Sequence, residues 1–310
     1  MFNIFRYTSD KQSAWDAFIA KSKNGTFLMY RGYMDYHSDR FVDCSLMFYL
    51  KEKLYAVIPA NICGDTFYSH QGLTYGGVVM NEKCTAAEVL QLFEEMNEWL
   101  RGQGVKKVVY KPIPHIYSSM PAEEDLYALF RCGATIAARG ISTCIDIQAH
   151  PKWRQNRRTA LNKSVKEGTM VEVSDDLENF WNILDTNLIQ SHGIHPVHTL
   201  SEMQKLKAAF PKNIMLWVAK NPNGDILAGI LMYLTKNVIH SQYISATPEG
   251  KASGAVDAIM HELLKSDHKY FDFGISTERG GTYLNNKLIF QKEGFGGRGI
   301  CYDIYEYTLS

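Results

Sequence analysis

One succession of predicted elements occurs twice along this chain, and it constrains the fold more than any single motif. In the first half, SLMFYL (45–50) and KLYAVIPANIC (53–63) form a predicted hairpin, TFYSHQ (66–71) a third strand, and residues 86–104 an amphipathic helix. A strand, a helix and a last strand follow. The second half repeats this order from the hairpin strand IMLWVAK (214–220) onward. An internal duplication is the simplest explanation.

Strands that alternate with helices in the later part of each repeat predict a mixed α/β or α+β fold. Each copy is expected to be a mixed, twisted sheet flanked by helices. The chain has 310 residues, and one domain usually takes about 100–200. QAHPKW (148–153) contains Pro151 and interrupts the pattern between the copies. We therefore predict one domain at 1–150 and a second at 151–310.

Charge and composition exclude several classes of protein. Lys and Arg together number 33, as do Asp and Glu, so the net charge recruits neither DNA nor an anionic membrane. The N-terminal MFNIFRYTSDKQ lacks the apolar run of a signal peptide, and no apolar stretch reaches the roughly 18 residues of a spanning helix. The 6 Cys are scattered without a CxxC pair, which is typical of free thiols in a reducing compartment. We expect a cytoplasmic protein without an integral membrane segment.

The order of elements, together with three local patterns, resembles a known family. Two copies of this order resemble two GNAT acyltransferase units in one chain. A basic helix followed by Gly and a strand (154–173), the strand YFDFG (270–274), and the closing QKEGFG (291–296) are similar to the Fem (FemABX) family of peptidoglycan aminoacyltransferases and their acetyltransferase-like relatives. The resemblance covers essentially the whole chain. It implies a tandem GNAT-like fold in which the last strand, 300–310, pairs with the first domain.

The resemblance implies a phosphate-binding turn for acyl-CoA. GNAT enzymes hold the CoA pyrophosphate on backbone amides where a Gly-rich turn opens a helix. The corresponding turn is ATPEGKASGAVDAI (246–259), and the equivalent turn of the first half, HQGLTYGGVV (70–79), lacks a basic residue. An ordinary Gly-rich turn is the alternative for both. The residues expected to hold CoA are Lys251, Ala252, Ser253, Gly254 and Ala255.

Polar side chains lie on the third strand of each copy, where GNAT-type strands splay and the acyl group is bound. They are His70, Gln71 and nearby Tyr75 in the first half, and His240, Gln242 and Tyr243 in the second. We assign them to substrate, with Tyr243 as a candidate proton donor to the leaving group. Satisfied polar groups inside ordinary strands are the alternative.

The run of cations between 152 and 166 falls on one predicted helix. A solvated helix face explains such a run without any function. Alternatively, Arg157 and Arg158 contact a phosphate-bearing acceptor or tRNA, because a guanidinium matches phosphate geometry with two parallel donors.

The closing strand and helix carry the strongest catalytic candidates. Direct acyl transfer to an amine needs a positioned amine and donors where the oxyanion develops. The resemblance implicates Lys292 in stabilising the transition state, although Gln291 stands where the family usually has Phe. Asp272 is a second catalytic candidate, and Glu278 and Asn285 are candidates for substrate binding. A structural salt bridge of Asp272 or Glu278 with Lys292 or Arg279 is the alternative.

SHGIHPVH places three histidines at His192, His195 and His198. Zinc accepts such ligands, but Gly193 and Pro196 indicate a loop, and no acidic or Cys ligand is close in sequence. We predict no metal site and assign the segment to a polar loop.

These observations predict an acyltransferase that moves an acyl group from acyl-CoA to an amine of a cell-envelope or sugar-nucleotide precursor, a small acceptor that carries phosphate. The first alternative is a Fem-like peptidoglycan aminoacyltransferase that uses aminoacyl-tRNA; the absence of a long heptad segment, hence of the helical arm found in some relatives, weighs against it. The second alternative is a non-catalytic ligand-binding relative, which the imperfect Gly-rich turn favours and the retained Lys292 does not.

Overall fold

A computed structural model describes residues 1–309, apart from the side chain of His192. The chain forms two compact units. Unit 1 comprises Met1–Gly140, Thr277–Tyr283 and residues 301–309, and unit 2 comprises Ile141–Ser276 and Leu284–Ile300. The chain passes from one unit to the other at four points, after Gly140, Ser276, Tyr283 and Ile300. The domain limits 1–150 and 151–310 stay a prediction.

Unit 1 begins the chain with short strands and helices. Its strands are β1 (Asn3–Arg6), β2 (Val42–Asp43), β3 (Leu46–Leu50), β4 (Lys53–Ile58), β5 (Asn61–Cys63), β6 (Thr66–Tyr68), β7 (Val79–Met80) and β8 (Lys107–Tyr110). Its helices are α1 (Gln12–Lys21), α2 (Arg31–Met34), α3 (Ala86–Gly102) and α4 (Glu124–Arg131). Strand β9 (Thr135–Asp146) then leads into unit 2.

Local sequence explains these elements. The β3–β4 hairpin turns at Lys51 and Glu52, which have φ of 48° and 63°, as the mirror-image turns of hairpins require. Helix α3 begins where the Thr85 side chain accepts a hydrogen bond from the amide of Glu88. Its apolar face is buried in the core of unit 1 together with aromatic side chains of the strands, among them Phe48, Phe67 and Tyr110.

Unit 2 holds the longer strands. Its helices are α5 (Gln155–Lys166), α6 (Leu177–His192), α7 (Leu200–Ala209), α8 (Pro248–Ser253), α9 (Ala255–Leu263) and α10 (Asn286–Glu293). Its strands are β10 (Met170–Ser174), β11 (Ile214–Lys220), β12 (Ile226–Leu234), β13 (Val238–Ala246) and β14 (Tyr270–Ile275). Two short strands precede α10: β15 (Thr277–Glu278), which belongs to unit 1, and β16 (Tyr283–Leu284). Strand β17 (Arg298–Thr308) follows α10 and belongs to unit 1 from residue 301 onward.

The sheet of unit 2 runs in the order β10, β11, β12, β13, β14, and then the second part of β9. Neighbouring strands are antiparallel except β13 and β14, which are parallel. The core lies beneath α9, where Ile259, Met260 and Leu263 are buried against Ile230 and Phe271. In unit 1, β17 pairs with β8 in antiparallel register, Tyr305 opposite Tyr110.

Strands β13 and β14 pair over a short distance only. Val238–His240 of β13 pair with Tyr270–Asp272 of β14. Strand β13 then continues to Ala246 against β12, and β14 continues to Ile275 against β9. The two strands therefore pair at their N-terminal ends and are free to diverge beyond His240 and Asp272.

The mixed α/β class predicted from the sequence is confirmed, and three local expectations are wrong. The third strand of the first half ends at Tyr68, so His70 and Gln71 lie in the following loop. The run 53–63 is broken at Pro59 and Ala60 into β4 and β5. The segment 246–259, predicted as a Gly-rich turn before a helix, contains a separate helix, α8, at Pro248–Ser253. Within residues 1–309, we find no helix with both the length and the apolar character required to cross a bilayer.

Candidate active site

A cleft of about 1370 Å³ opens in unit 2 where β13 and β14 diverge. Ile244, Ser245 and Ala246 of β13 form part of its wall, and Phe273 of β14 forms another part. Helices α5, α6, α8, α9 and α10 and the residues that flank them supply the remaining surface. Its polar lining residues are Asn156, Arg157, Asn187, Ser191, Ser245, Lys251, Asp257, Asn285, Asn286, Lys287, Gln291 and Lys292.

The charge of this cleft is positive. Among its lining residues, four are cations (Arg157, Lys251, Lys287 and Lys292) and Asp257 is the acid. Apolar side chains of Leu184, Leu188, Val256 and Phe295 lie between them. A ligand with an anionic end and an apolar segment matches this surface.

Lys292 projects from the last turn of α10 and is partly buried. Its Nζ donates hydrogen bonds to the backbone carbonyls of Gly274 (2.9 Å) and Ile275 (3.0 Å) at the end of β14. Burial lowers the pKa of this ammonium to about 8, against the opposing effect of the Asp272 carboxylate. An ammonium has three N–H donors, so one remains for a group in the cleft.

Asp272 lies beneath this position and is fully buried. Its carboxylate accepts hydrogen bonds from the hydroxyl of Ser142 and, at 3.2 Å, from the amide of Gly274. Its second oxygen lies 2.9 Å from Nδ1 of His240. Asp272 and His240 are thus held together at the last paired position of β13 and β14.

The two arginines singled out on the basic helix differ in environment. The Arg157 guanidinium contacts Asp257 at 3.4 Å, donates to the carbonyl of Gln291 at 3.2 Å, and stacks over the Phe295 ring at 4.5 Å. Arg158 is exposed and donates to Gln155 on its own helix. Arg157 lines the cleft but is committed to internal contacts, whereas Arg158 is accessible.

The residues predicted to hold CoA lie at the α8–α9 junction. Lys251 is exposed and donates from Nζ to Oδ1 of Asn187 at 2.9 Å. The Ala252 carbonyl accepts a hydrogen bond from Lys163 of α5, and Ser253 is buried with its hydroxyl bonded to Gly250. Gly254 has φ of 80° and separates the two helices, so α9 begins at Ala255. Lys251 and Gly254 line the cleft.

Tyr243 is held away from the described lining of the cleft. Its hydroxyl lies 2.8 Å from Nδ1 of His198 and accepts from the His198 amide at 3.3 Å. Burial raises the pKa of this phenol. Gln242 is the extra residue of a β-bulge, because Leu231 pairs with Tyr243 and Met232 with Ser241.

Several predicted substrate residues belong to unit 1. His70 is buried and adopts φ of 64°. Gln71 is held by two hydrogen bonds with Asn61, and the Tyr75 hydroxyl donates to Thr26 at 3.2 Å. Glu278 is exposed and also assigned to unit 1. Asn285 lines the cleft of unit 2, where its side chain accepts from the Leu288 amide and caps α10.

Sequence reasoning missed several polar residues of the cleft, and two of them, Asn187 and Asp257, bond to other lining residues. Asn187, on α6, bridges Lys251, the Ser245 hydroxyl and the Ala246 carbonyl. Asp257 is a buried residue of the largely apolar helix α9, and a carboxylate on a buried helix face signals that a cation lies opposite. Asn187 gives no comparable local signal, because its partners are more than fifty residues away.

The histidine-rich segment does contain an acidic neighbour, contrary to expectation. Nδ1 of His195 lies 2.7 Å from Oδ1 of Asp185, on the preceding helix. The His192 side chain lies outside the described part of the structure; among the described side chains, no group of three or more His, Cys, Asp or Glu is arranged to hold a metal ion.

No protein-family model matches this chain. Several solved structures do resemble it. FemX is 12% identical with a TM-score of 0.70 over 99% of this chain and 97% of that one. L-PGS from Bacillus licheniformis is 13% identical with a TM-score of 0.61, over 97% of this chain and 91% of that chain. A tandem GNAT protein from the clavulanic acid biosynthesis pathway is 9% identical with a TM-score of 0.52, over 100% and 99%. The chain therefore has the tandem, Fem/GNAT-like acyltransferase fold.

Proposed function

We propose that this protein transfers an acyl group to an amine, with the reaction taking place in the unit 2 cleft. The observation that carries this proposal is Lys292, a partly buried cation fixed by two carbonyls at the edge of the gap between β13 and β14. The fold supports it, because the resemblance to GNAT and Fem enzymes implies acyl or aminoacyl transfer at the equivalent gap.

Acyl-CoA is the donor that the cleft favours. The cationic lining, with Lys251 and Lys287 exposed, suits the phosphates of CoA, and the apolar side chains between the cations suit its pantetheine and acyl parts. At the turn the fit rests on Lys251, which is exposed and lines the cleft. Gly254 also lines the cleft, but it is packed against the Ala160 carbonyl of α5, and α8 occupies Pro248–Ser253. The acceptor is proposed to be a small, phosphate-bearing amine of a cell-envelope or sugar-nucleotide precursor.

The chemistry asks little of the protein beyond position and charge. The neutral amine attacks the thioester carbonyl, a C–N bond forms, and negative charge develops on the carbonyl oxygen. The C–S bond then breaks, and the proton lost by the amine balances the thiolate that leaves. The remaining N–H of Lys292 is the donor we assign to the developing oxyanion. Asn285 and Asn286, at the start of α10, line the cleft, and we assign them to the acceptor.

Aminoacyl-tRNA is the competing donor, and the extent of the likeness to FemX favours it. Native mass spectrometry and calorimetry with CoA and acetyl-CoA distinguish the two. If acyl-CoA is the donor, binding is measurable in the micromolar-to-millimolar range and weakens as salt rises. Lys251→Ala weakens it, whereas Lys212→Ala, on an exposed turn of the same unit, does not.

Failure to bind CoA, combined with transfer from charged tRNA, would move the assignment to the aminoacyl donor. Absence of transfer from both donors would favour a ligand-binding relative without catalytic activity.

A further inference from the structure

Two consecutive backbone carbonyls, those of Gly274 and Ile275, bind the same Lys292 ammonium. In a regular strand, successive carbonyls point to opposite sides. One cation therefore contacts both only where the strand departs from regular geometry.

Strand β14 departs from it at this point through a β-bulge. Asp272 pairs with Cys144 of β9, and the next recorded pair is Ile275 with Ser142, so three steps on β14 match two on β9. Gly274 has φ of 73°, the left-handed conformation that the Gly of such a bulge adopts. Bulges of this kind redirect the groups that follow them.

Hydrogen bonds to the buried Asp272 carboxylate stabilise the bulge. One oxygen accepts from the Gly274 amide at 3.2 Å and from the Ser142 hydroxyl on β9. The other lies 2.9 Å from Nδ1 of His240 on β13, whose ring also borders Gly274. Asp272 thereby ties the bulge to both neighbouring strands.

We propose that Asp272 and His240 are positioning residues that hold the Gly274 bulge, so that two carbonyls fix the Lys292 ammonium at the cleft. The inference deepens the proposed function and rests on it for the role of Lys292 in transfer. Asp272 then acts on the reaction only through Lys292, and it need not touch either substrate.

The first test is a double-mutant cycle on turnover. Lys292→Met is expected to lower turnover by about 10²–10³, and Asp272→Ala by at least about tenfold because the ammonium is no longer fixed. The double variant should be no slower than Lys292→Met alone. Asp272→Asn, whose amide oxygen still accepts from Gly274, should recover most of the activity. A further loss in the double variant would show that Asp272 acts independently of Lys292 and would overturn the inference.

The second test does not depend on activity. Hydrogen exchange of the Gly274 amide should accelerate by about tenfold or more in Asp272→Ala and by less in Asp272→Asn. It should not change in Lys292→Met, because the hydrogen bond between Asp272 and the Gly274 amide does not depend on Lys292. Unchanged exchange in Asp272→Ala contradicts the inference even if Lys292 is catalytic. Conversely, full turnover in Lys292→Met contradicts the proposed function, but the exchange experiment still shows whether Asp272 holds the Gly274 bulge.

A third variant covers the case in which Asp272→Ala fails to fold. Gly274→Ala keeps the Asp272 contacts but strains the left-handed residue, and its new Cβ would lie 3.3 Å from the His240 ring. Gly274→Ala should reduce turnover, and its combination with Lys292→Met should be no slower than Lys292→Met alone. Gly224→Ala, with φ of 93° and open space around it, is the matched control and should leave turnover unchanged. Full turnover in Gly274→Ala would contradict the inference.

Discussion

The Arg157 guanidinium lies 3.4 Å from each carboxylate oxygen of Asp257 and joins helix α5 to helix α9. The Asp257 side chain is only 5% exposed. Removing Arg157 leaves a buried carboxylate without its cation, which typically costs about 3–5 kcal/mol. We therefore expect Arg157→Met to lower the free energy of unfolding on that scale, reduced by the partial exposure of the arginine. Chemical denaturation measures it.

Arg158→Met is the matched control, because Arg158 is exposed and contacts Gln155 on its own helix. Its effect should stay within about 0.5 kcal/mol. The Arg157→Met penalty should shrink at acid pH, since burial already raises the pKa of Asp257 and the carboxyl can then protonate. Equal effects of the two substitutions at neutral pH would show that the Arg157–Asp257 contact contributes little.

The Lys292 ammonium predicts how turnover depends on pH. Its pKa is about 8, and the protonated form is the one proposed to stabilise the oxyanion. Turnover should therefore decline as pH rises through about 8. Lys292→Arg should move this decline to higher pH, because guanidinium stays charged, and Lys292→Met should abolish it. Lys265→Met, on an exposed side chain paired with Glu262, should keep the wild-type profile. A decline that persists in Lys292→Met belongs to another group.

His70 predicts a loss of stability in acid. Burial lowers its pKa to about 3, whereas an unfolded histidine titrates near about 6.5. Between these values the unfolded chain binds the extra proton, so stability falls as pH drops below about 6.5. The contribution of this one group between pH 7 and pH 5 is about 2 kcal/mol. His70→Asn should flatten the dependence, because Asn tolerates the left-handed backbone and carries no charge.

His150 is the control for His70, because both residues have a left-handed backbone but differ in burial. His150 also has a positive φ, 49°, but is exposed. His150→Asn should leave the slope of stability against pH unchanged. Denaturant unfolding at several pH values, followed in unit 1, gives both slopes. Parallel slopes for wild type and His70→Asn would mean that His70 is not the group that titrates.

Substitution of Gly254 is expected to disturb packing, so it does not test CoA binding by itself. A Cβ at Gly254 would lie 2.4 Å from the Ala160 carbonyl of α5, and φ there is 80°. Gly254→Ala should therefore lower thermal stability more than Gly193→Ala does. Gly193 also ends a helix with positive φ, 67°, but has nothing within 4 Å of a new Cβ. Left-handed strain alone costs roughly 1–2 kcal/mol, so any excess in Gly254→Ala measures the helix contact. Equal losses would show that α5 gives way freely.

Local sequence patterns predicted most of the elements of this fold. Apolar periodicity identified α3 and α9, and β-branched and aromatic runs identified β11 to β14. The third strand of unit 1 was predicted to run to Gln71, whereas it ends at Tyr68. His70 adopts a left-handed conformation that residue type alone does not reveal. Helix α8 did have a signal: Thr247 caps it and Pro248 occupies its first turn.

The candidate site was only partly predictable. Lys292, Asn285 and Arg157 were named from local motifs, and all three line the cleft. The β14 bulge was not foreseen, because it depends on the register between β14 and β9, strands more than a hundred residues apart in the chain. The bridging role of Asn187 depends in the same way on distant partners.

The pairing of β17 with β8 has a consequence for synthesis of the chain on the ribosome. Residues 301–309 follow every residue of unit 2, yet they belong to the sheet of unit 1. During translation, β8 lacks its antiparallel neighbour β17 until all of unit 2 has been synthesised. The unit that is translated first is therefore the one completed last, and in a nascent chain that stops before β17 the β8 edge is left open to other strands.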